Sequence, residues 1–453
     1  MIFTEIYKSR YLLLIELTLL FLITLNNLVP FFILFSSILL FAIVYYTFNS
    51  PIVAIHILIF SILVDSFIPI GRNTAGPSLL VVEFFFIIFL IMGIIWLLLN
   101  LDKKFSIPFL ILIWLPFLIW SLPIGLTVGI EKLNVMVFWK NYFAGFFALS
   151  LTFFAVQNKR HLKSLLIGIA IWGLLLSLIE LKVLFELGGF TTGIVDLFFR
   201  KNLLTVGWGK SNYLASFFVI IIPVSIGYLF YTKSKGLKIL LIITLVFMSF
   251  ALTLTLSRGG ILSLLIALII LFSRIVKFRT LLPFIALLLL LTVIVILNPL
   301  TFVLIDRISS LDTSGSYFSR INFYSVVWNT FLKHPITGVG FGNLGYYAQF
   351  VLGPDSSTSA HNIVLGMLGE TGIVGALFYL SILGTLFIKV FSGFKSECDS
   401  SLKILRWGFV SAIIGGFLHS LMEPTLEGLQ FSIMFWTLAG VYFKLDLLKI
   451  PDN

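Results

Sequence analysis

Long apolar segments with almost no charge follow one another along the chain, and they restrict its fold more than any other feature. An α-helix needs about 20 apolar residues to cross the hydrocarbon core of a bilayer. Such segments lie at 11–28, 31–48, 52–70, 79–100, 107–122, 136–156, 163–184, 212–231, 237–256, 259–273, 280–297, 362–391, 404–422 and 428–444. We therefore predict an all-α polytopic integral membrane protein with about 14 (12–14) transmembrane helices, because helices satisfy their own backbone hydrogen bonds inside lipid.

The composition agrees with a chain that faces lipid. Of the 453 residues, 60% are hydrophobic and 11% are charged, whereas a typical soluble domain has about 25% charged residues. The net charge of +11 does not indicate nucleic-acid binding, because no soluble segment carries a basic patch. The single cysteine, Cys398, excludes an internal disulfide and a cysteine-based zinc site. Residues 1–10 and the apolar run after them lack a small-residue cleavage motif, so we interpret this region as a retained first span.

The apolar run at 237–273 is interrupted by the segment SRGG at 257–260. As one helix this run would be about 55 Å long, against a hydrocarbon core of about 30 Å. A single span would also bury Arg258, at a cost of about 2.5–3.5 kcal/mol. We therefore predict two spans joined by a turn at SRGG, which places Arg258 at a membrane face.

Basic residues distinguish the two faces of the membrane. Short connections that hold several Lys or Arg residues lie at 103–104, 159–163, 233–238 and 274–279. All of them fall on one side in the predicted topology, and the excess of basic residues marks that side as cytoplasmic. We predict a multi-pass protein of the inner (cytoplasmic) membrane with both termini in the cytoplasm. The periplasmic side then holds Arg258 and one long loop at 298–361.

The periplasmic side also collects ionisable side chains against the usual bias. They are Arg200, Lys201, Lys210, Arg258, Lys333, His361, Glu423 and Glu427. Charged residues kept at such positions suggest a functional site. For Arg200, Lys201 and Lys333, contact with lipid head groups is an equally good interpretation.

Three ionisable residues near the C-terminus recur every four positions: His419, Glu423 and Glu427. This spacing suggests a metal-binding face of a helix, but Pro424 would break that helix. A carboxylate at 423 or 427 that orients a base or a sugar hydroxyl is the preferred interpretation.

The long loop at 298–361 has room for structure of its own. Apolar residues recur at helical spacing between 317 and 335, which predicts an amphipathic helix on the membrane surface or over a cavity. They are Phe318, Ile321, Tyr324, Val327, Trp328 and Phe331. The segment GVGFGNLG at 338–345 has the glycines of a nucleotide-binding loop, but no strand precedes it, so a flexible or tightly turning loop is expected.

Four motifs occur in order along the second half of the chain. They are GKSNYLASFF (209–218), LSRGG (256–260), SRINFYSVVWNTFLKHPITGVGFGNLG (319–345) and HNIVLGMLGETGIVG (361–375). Together they resemble the O-antigen ligase-like superfamily, bacterial membrane enzymes that ligate or polymerise lipid-linked polysaccharide. The last motif fits the ligase pattern His-[Asn/Ser/Gln]-x9-Gly-x-x-Gly, although Ala376 stands where the family commonly has Gly, Thr or Tyr.

The resemblance covers about residues 200–445 and implies a GT-C-like fold. It divides a single transmembrane domain, 1–453, into N-terminal helices of unassigned role at 1–200 and a catalytic core at 201–445. The long loop at 298–361 belongs to this core.

The resemblance also implies a reaction: transfer of a glycan from undecaprenyl diphosphate to an acceptor hydroxyl, with inversion at the anomeric carbon. Arg258 and Arg320 match the family's arginines, and guanidinium groups suit the oxygens of a diphosphate. His361 matches the family's histidine, and a neutral imidazole suits the base that activates the hydroxyl. Candidate substrate contacts are Lys210, Asn212, Asn362 and Glu423. No metal or other cofactor is expected, because no Asp-x-Asp motif is present.

The acceptor is left open by the resemblance. A lipid A–core acceptor would make the protein a lipopolysaccharide ligase, and a glycan repeat unit would make it a polymerase. Ligase is preferred because His-Asn-x9-Gly-x-x-Gly is the ligase form of the motif. Transport of lipid-linked sugars or anions is the alternative of another class, although no internal repeat supports it, and a membrane scaffold would need no charged cluster. The glycines at 366, 369, 372 and 375 are expected to be helix-packing positions.

Overall fold

The computed structural model describes residues 50–64, 81–99, 107–189, 211–275, 316–352, 361–392 and 400–445, together with the single residues 47, 206 and 448. For 96–99 and 316–322 only the backbone is described. The predicted spans at 11–28 and 280–297, and nearly all of the span at 31–48, lie outside these residues.

Every regular element in the described residues is a helix. The helices are α1 (Ile52–Val64), α2 (Val81–Leu99), α3 (Phe109–Leu112), α4 (Trp114–Val128), α5 (Lys132–Ala155), α6 (Lys159–Glu186), α7 (Ser211–Tyr231), α8 (Lys235–Leu254), α9 (Arg258–Ile275), α10 (Ser316–Lys333), α11 (Leu344–Leu352), α12 (Ile363–Ser392), α13 (Ser400–Ser420), the 3₁₀ turn η1 (Thr425–Glu427) and α14 (Leu429–Leu445). They fall into two compact units, residues 1–103 and 104–453. In the first unit α1 packs against α2, and the second unit contains all the candidate site residues.

Within the described residues, seven helices are long and apolar enough to cross a membrane, as judged by length and composition. They are α3 and α4 taken together, α6, α7, α8, α9, α12 and α13. On α8 the side chains of Ile239, Ile242 and Val246 are exposed on the protein surface, as expected where a helix faces lipid. The prediction of an all-α fold with many spans is confirmed for the described residues, and the total of about 14 spans stays a prediction.

The apolar run at 237–273 is divided as the sequence predicts. The helix α8 ends at Leu254, and α9 begins at Arg258. Between them Leu256 has a φ of 49°, which is outside the helical region. The hydroxyl of Ser257 accepts a hydrogen bond from the N–H of Gly260 at 3.1 Å and so caps α9. Arg258 therefore stands at a helix end.

The helices α7 and α13 form the centre of the second unit and run antiparallel. Their backbones approach closely at Gly227 and Gly408, where a Cβ on Gly408 would lie 2.8 Å from the carbonyl oxygen of Pro223. Towards the other end of the pair, a Cβ on Gly416 would lie 2.7 Å from a side-chain carbon of Ile220. Small residues at these crossings let the helices pack without intervening side chains. The start of α7 therefore lies beside the end of α13.

The helices α5 and α14 also pack side by side, but they run in the same direction. A Cβ on Gly145 would lie 2.6 Å from the ring of Trp436, and one on Gly440 would lie 2.8 Å from the carbonyl oxygen of Leu149. The first half of α5 consequently passes η1, where the Asn141 amide donates a hydrogen bond to the carbonyl of Glu427 at 2.9 Å.

The helix α12 is interrupted at Gly372, which has a φ of 63° and a ψ of −169°. A Cβ at this position would overlap the carbonyl group of Ile336, so the approach of the two backbones requires glycine. One turn earlier, a Cβ on Gly369 would lie 3.2 Å from Val327. The expected packing function is confirmed for these two glycines, and the break in the helix is an additional feature.

The predicted amphipathic helix is present as α10, but its buried face differs from the expected one. Phe323, Val326 and Val327 pack into a small core with residues of α11 and the loop before it. Trp328, which was assigned to the same apolar stripe as Val327, is 53% exposed. The helix has apolar residues on two faces, and the spacing alone did not show which of them packs against protein.

Candidate functional site

A histidine and a glutamate from distant parts of the chain form a pair at one end of the second unit. Nδ1 of His361 lies 3.0 Å from Oε2 of Glu423. The side-chain amide of Asn212 donates a hydrogen bond to the same oxygen at 3.3 Å. The side chain of Glu423 is 8% exposed and that of His361 is 20% exposed. The pair is therefore enclosed by protein, and the imidazole is its more accessible member.

Glu423 lies in the turn that follows α13. Its N–H donates a hydrogen bond to the carbonyl of His419 at 2.9 Å, and its carbonyl accepts one from the N–H of Thr425 at 2.6 Å. Pro424 prevents the helix from continuing, because it has no N–H to donate. The backbone of the turn thus holds the Glu423 carboxylate within hydrogen-bond distance of His361.

Tyr213 ties the start of α7 to the same region. Its hydroxyl accepts a hydrogen bond from the N–H of Phe431 at 3.0 Å and donates one to the side chain of Gln430 at 3.2 Å. Asn212, the preceding residue, contacts Glu423. Neighbouring residues of the motif GKSNYLASFF therefore bind the segments on both sides of η1.

His361 occupies the residue position just before the cap of α12. Its φ of 48° is uncommon for a residue other than glycine, and such conformations cluster at functional sites. The side-chain oxygen of Asn362 accepts hydrogen bonds from the N–H groups of Val364 and Leu365, both at 3.0 Å. Asn362, expected to contact substrate, thus caps the helix and fixes the direction in which His361 leaves it.

The contact with Glu423 determines how the His361 ring can act. An ionised carboxylate only accepts hydrogen bonds, so Nδ1 of the imidazole donates to it. In the neutral ring Nε2 then carries the lone pair and can take up a proton. The same carboxylate stabilises the imidazolium cation that results. With this tautomer, the arrangement is chemically able to serve as an oriented general base.

Arg258 begins α9 next to the turn that carries Glu423. A Cβ on the following residue, Gly259, would lie 3.3 Å from the sulfur of Met422, the neighbour of Glu423. A Cβ on Gly260 would lie 2.8 Å from that of Ala215 on α7. The start of α9 is therefore wedged between α7 and the end of α13, and the exposed side chain of Arg258 begins at that point.

Two other predicted site residues are described less completely. Lys210 lies outside the described residues, and for Arg320 only the backbone, in the first turns of α10, is described. The structure thus brings together His361, Glu423 and Asn212, with the start of α9 beside them. In the described part of the chain, no group of three or more His, Cys, Asp or Glu side chains is placed to hold a metal ion.

A glycine loop, residues 338–345, packs against the break in α12. Gly338, Gly340 and Gly342 all have positive φ angles, so the expectation of a tightly turning loop is confirmed. The N–H of Val339 donates to the carbonyl of Gly369 at 3.1 Å, and further bonds join the loop to the same stretch of α12. Backbone groups that α12 leaves unpaired at its break are thereby satisfied by the loop.

Asn343 joins the glycine loop to the start of α5. Its side-chain oxygen accepts a hydrogen bond from the N–H of Glu131 at 2.7 Å, and its amide donates to the carbonyl of the same residue at 3.3 Å. Asn343 is 1% exposed. The start of α5, upstream of residue 201, is therefore tied to the glycine loop by a buried side chain.

Between the glycine loop and α12 lies a cavity of about 320 Å³. Its walls are formed by Asn134, Phe138, Gly342, Leu344, Gly345, Tyr346, Gln349, Gly366, Glu370 and Glu427. Of the two carboxylates in this lining, only Glu427 was singled out from the sequence. Glu370 carried a signal that was not used, since an ionisable residue inside an apolar segment suggests function.

Comparison with known proteins supports the resemblance seen in the motifs. Residues 243–380 match the model of the family described as O-Antigen ligase. The Teichuronic acid biosynthesis protein TuaE of Bacillus subtilis (strain 168) is 25% identical over 130 residues, which is 28% of this chain and 27% of the relative. This chain thus covers about a quarter of the relative's length. The resemblance to the O-antigen ligase-like superfamily is confirmed, and the matched segment contains Arg258, Arg320 and His361.

Proposed function

We propose that the protein is a membrane glycosyltransferase, because residues 243–380 resemble the O-antigen ligase family. It passes a glycan from undecaprenyl diphosphate to an acceptor hydroxyl, with inversion and without a metal ion. The observation that carries the proposal is the hydrogen bond between His361 and Glu423, next to the start of α9 with Arg258.

In this reaction His361 acts as the general base. Nε2 takes the proton from the acceptor hydroxyl while the hydroxyl oxygen attacks the anomeric carbon from the face opposite the diphosphate. The bond between that carbon and the diphosphate oxygen breaks, and the electron pair leaves with the carrier. Glu423 holds the ring and stabilises its positive charge. A positioned base of this kind contributes about 10²–10⁴-fold to the rate.

Arg258, and Arg320 by family resemblance, neutralise the leaving diphosphate. The leaving group develops negative charge as the bond breaks, and guanidinium groups bind phosphate oxygens through paired hydrogen bonds. Fixed cations of this kind stabilise the transition state more than the bound substrate. The backbone N–H groups at the start of α9 add to this stabilisation.

The distribution of cations along the helices supports a periplasmic site. At the end of the unit opposite to His361, Arg274 stacks over the ring of Trp407 at 4.5 Å and Lys444 over that of Phe153 at 4.8 Å. We assign that end to the cytoplasmic face by the positive-inside rule. The site then faces the periplasm in the inner membrane, where both termini lie on the cytoplasmic side.

For the acceptor, we propose lipid A–core, which makes the protein an O-antigen ligase. The form of the motif at His361, with Gly372 and Gly375 at the ligase spacing, supports this choice. Repeat-unit polymerase is the second candidate, and it is favoured by the relative named for teichuronic acid biosynthesis. The two enzymes would share the base and the arginines and differ in the molecule that supplies the hydroxyl.

A transfer assay with purified protein tests the proposal. The full chain in detergent is given an undecaprenyl-diphosphate glycan and either lipid A–core or a second carrier-linked repeat unit, in the presence of EDTA. We expect a new glycosidic product and free undecaprenyl diphosphate. Movement of carrier-linked sugar across sealed vesicles without any new bond would support a transporter instead. Product that disappears with EDTA and returns with Mg²⁺ would contradict the metal-independent mechanism.

A further inference from the structure

The cavity of about 320 Å³ is lined by residues that follow each member of the His361–Glu423 pair closely in the chain. Gly366, which lines it, is one helical turn along α12 from Asn362, whose carbonyl accepts the Gly366 N–H at 2.9 Å. Glu427, which also lines it, follows Glu423 by four residues in the turn after α13. A ligand in the cavity would therefore have one end close to the base.

The turn after α13 connects the cavity with the start of α9, where Arg258 lies. Along the turn after α13, Met422 faces the start of α9, Glu423 contacts His361, and Glu427 lines the cavity. The turn therefore contacts the start of α9 through Met422 and the cavity through Glu427, and the residue that holds His361 comes between these two in the chain.

The side chains of the cavity suit a hydroxyl-rich ligand. Asn134 and Gln349 supply amides, Glu370 and Glu427 supply carboxylates, and Phe138 supplies an aromatic face. Carboxylates and amides bind hydroxyl groups through directional hydrogen bonds, whereas two carboxylates repel a diphosphate. A volume of about 320 Å³ is near the lower end of ligand pockets and has room for about one or two sugar rings.

Glu370 is the residue that points most clearly to a ligand. It is 6% exposed, and the backbone N–H groups of Gly342 and Leu344 hydrogen-bond to its carboxylate. Its Oε2 has no hydrogen-bond partner among the described residues. A buried carboxylate oxygen requires a donor, and a sugar hydroxyl on the cavity side is a donor of the right kind.

We propose that this cavity binds the terminal sugar of the acceptor glycan, with Glu370 and Glu427 accepting hydrogen bonds from its hydroxyls. This inference rests on the proposed glycosyltransferase function. The acceptor enters on the carboxylate side and the carrier diphosphate on the Arg258 side, so that the attacking hydroxyl meets the anomeric carbon at His361. The assignment holds for ligase and polymerase, because both acceptors present a sugar hydroxyl.

The test compares two variants that remove the same charge. Glu370→Gln keeps the size of the side chain and an oxygen for the loop N–H groups, and Glu186→Gln alters an exposed carboxylate at the end of α6 that does not line the cavity. KM is measured separately for the carrier-linked donor and for the acceptor glycan of the producing organism. We expect Glu370→Gln to raise the acceptor KM about 10- to 100-fold, while its donor KM and both KM values of Glu186→Gln stay unchanged.

Two further measurements make the result decisive. Gln349→Ala, in a residue at the cavity wall, is expected to raise the acceptor KM in the same selective way if Glu370→Gln fails to fold. Binding of undecaprenyl diphosphate without sugar is expected to be equal in wild type and Glu370→Gln. An acceptor KM that stays within about twofold of wild type in both cavity variants, or weaker binding of undecaprenyl diphosphate by a folded Glu370→Gln, overturns the inference. A wild-type protein that transfers no glycan at all rejects the proposed function itself.

Discussion

The two sides of the His361–Glu423 pair are built in different ways. On the side of α7, α9 and α13, regular helices meet through small residues, and the cation Arg258 stands at a helix end. On the side of the cavity, the backbone leaves the regular helix at Gly372 and in the glycine loop, and carboxylates replace the cations. In a membrane, backbone of this kind is tolerated where it is buried in protein or lines a cavity. Regular packing thus positions a charge, and irregular backbone makes room for a ligand.

The largest expected effect is on the irregular side. Gly372→Ala places a Cβ onto the carbonyl of Ile336 at a φ of 63°, which L-residues rarely adopt. We expect a loss of about 3 kcal/mol in stability, and most of the protein should fail to extract in folded form. Gly384→Ala is the matched control on the same helix, because a Cβ there meets nothing within 4 Å. Equal thermal midpoints of the two variants in detergent would show that Gly372 does not make the close backbone contact with Ile336.

The second prediction separates the two glutamates of the turn. Glu423→Gln removes the charge that stabilises the imidazolium of His361, so kcat should fall about 100-fold while the acceptor KM changes little. Glu427→Gln alters the cavity wall, so the acceptor KM should rise and kcat should change less. Steady-state kinetics on both variants measures this difference. A fall in kcat of the same size in the two variants would contradict the assignment of Glu423 to the base and of Glu427 to the acceptor cavity.

The third and smallest effect concerns the cationic side. Arg258→Lys keeps the charge but loses the paired hydrogen bonds to phosphate, and we expect the donor KM to rise about 10-fold. Arg274→Lys makes the same replacement at the opposite end of α9, where the guanidinium stacks on Trp407, and should leave the donor KM unchanged. A rise in the acceptor KM alone in Arg258→Lys would place the diphosphate elsewhere.

The regular side of the site was largely predictable from the sequence. Apolar runs bounded by polar residues predicted the helices, the length of 237–273 required the turn at Arg258, and the family motif around His361 suggested a candidate base. The first two signals are local, because the length and hydropathy of one segment determine them. The third comes from the resemblance of a short motif. The contact between His361 and Glu423 was anticipated only as a possible orienting carboxylate, since it joins residues far apart in the sequence.

The irregular side was not predictable in the same way. Hydropathy shows α12 as one continuous span, and the break at Gly372 exists because the backbone at Ile336 approaches it. On α10, helical spacing fits both the buried Val326 and the exposed Trp328, because apolar residues face either lipid or protein in this environment. Glu370 lies in an apolar segment, and the backbone groups that hydrogen-bond to its carboxylate come from the glycine loop, which is distant in the sequence.

Chemical rescue tests the central claim most directly, since it addresses the imidazole of His361 itself. Purified His361→Ala should fold and bind undecaprenyl diphosphate like the wild type, but its rate of glycan transfer should fall about 1,000-fold. Added imidazole should restore part of that rate in His361→Ala and none in Glu423→Gln, whose own ring is still present. Transfer by His361→Ala at close to the wild-type rate, without added imidazole, would contradict the account.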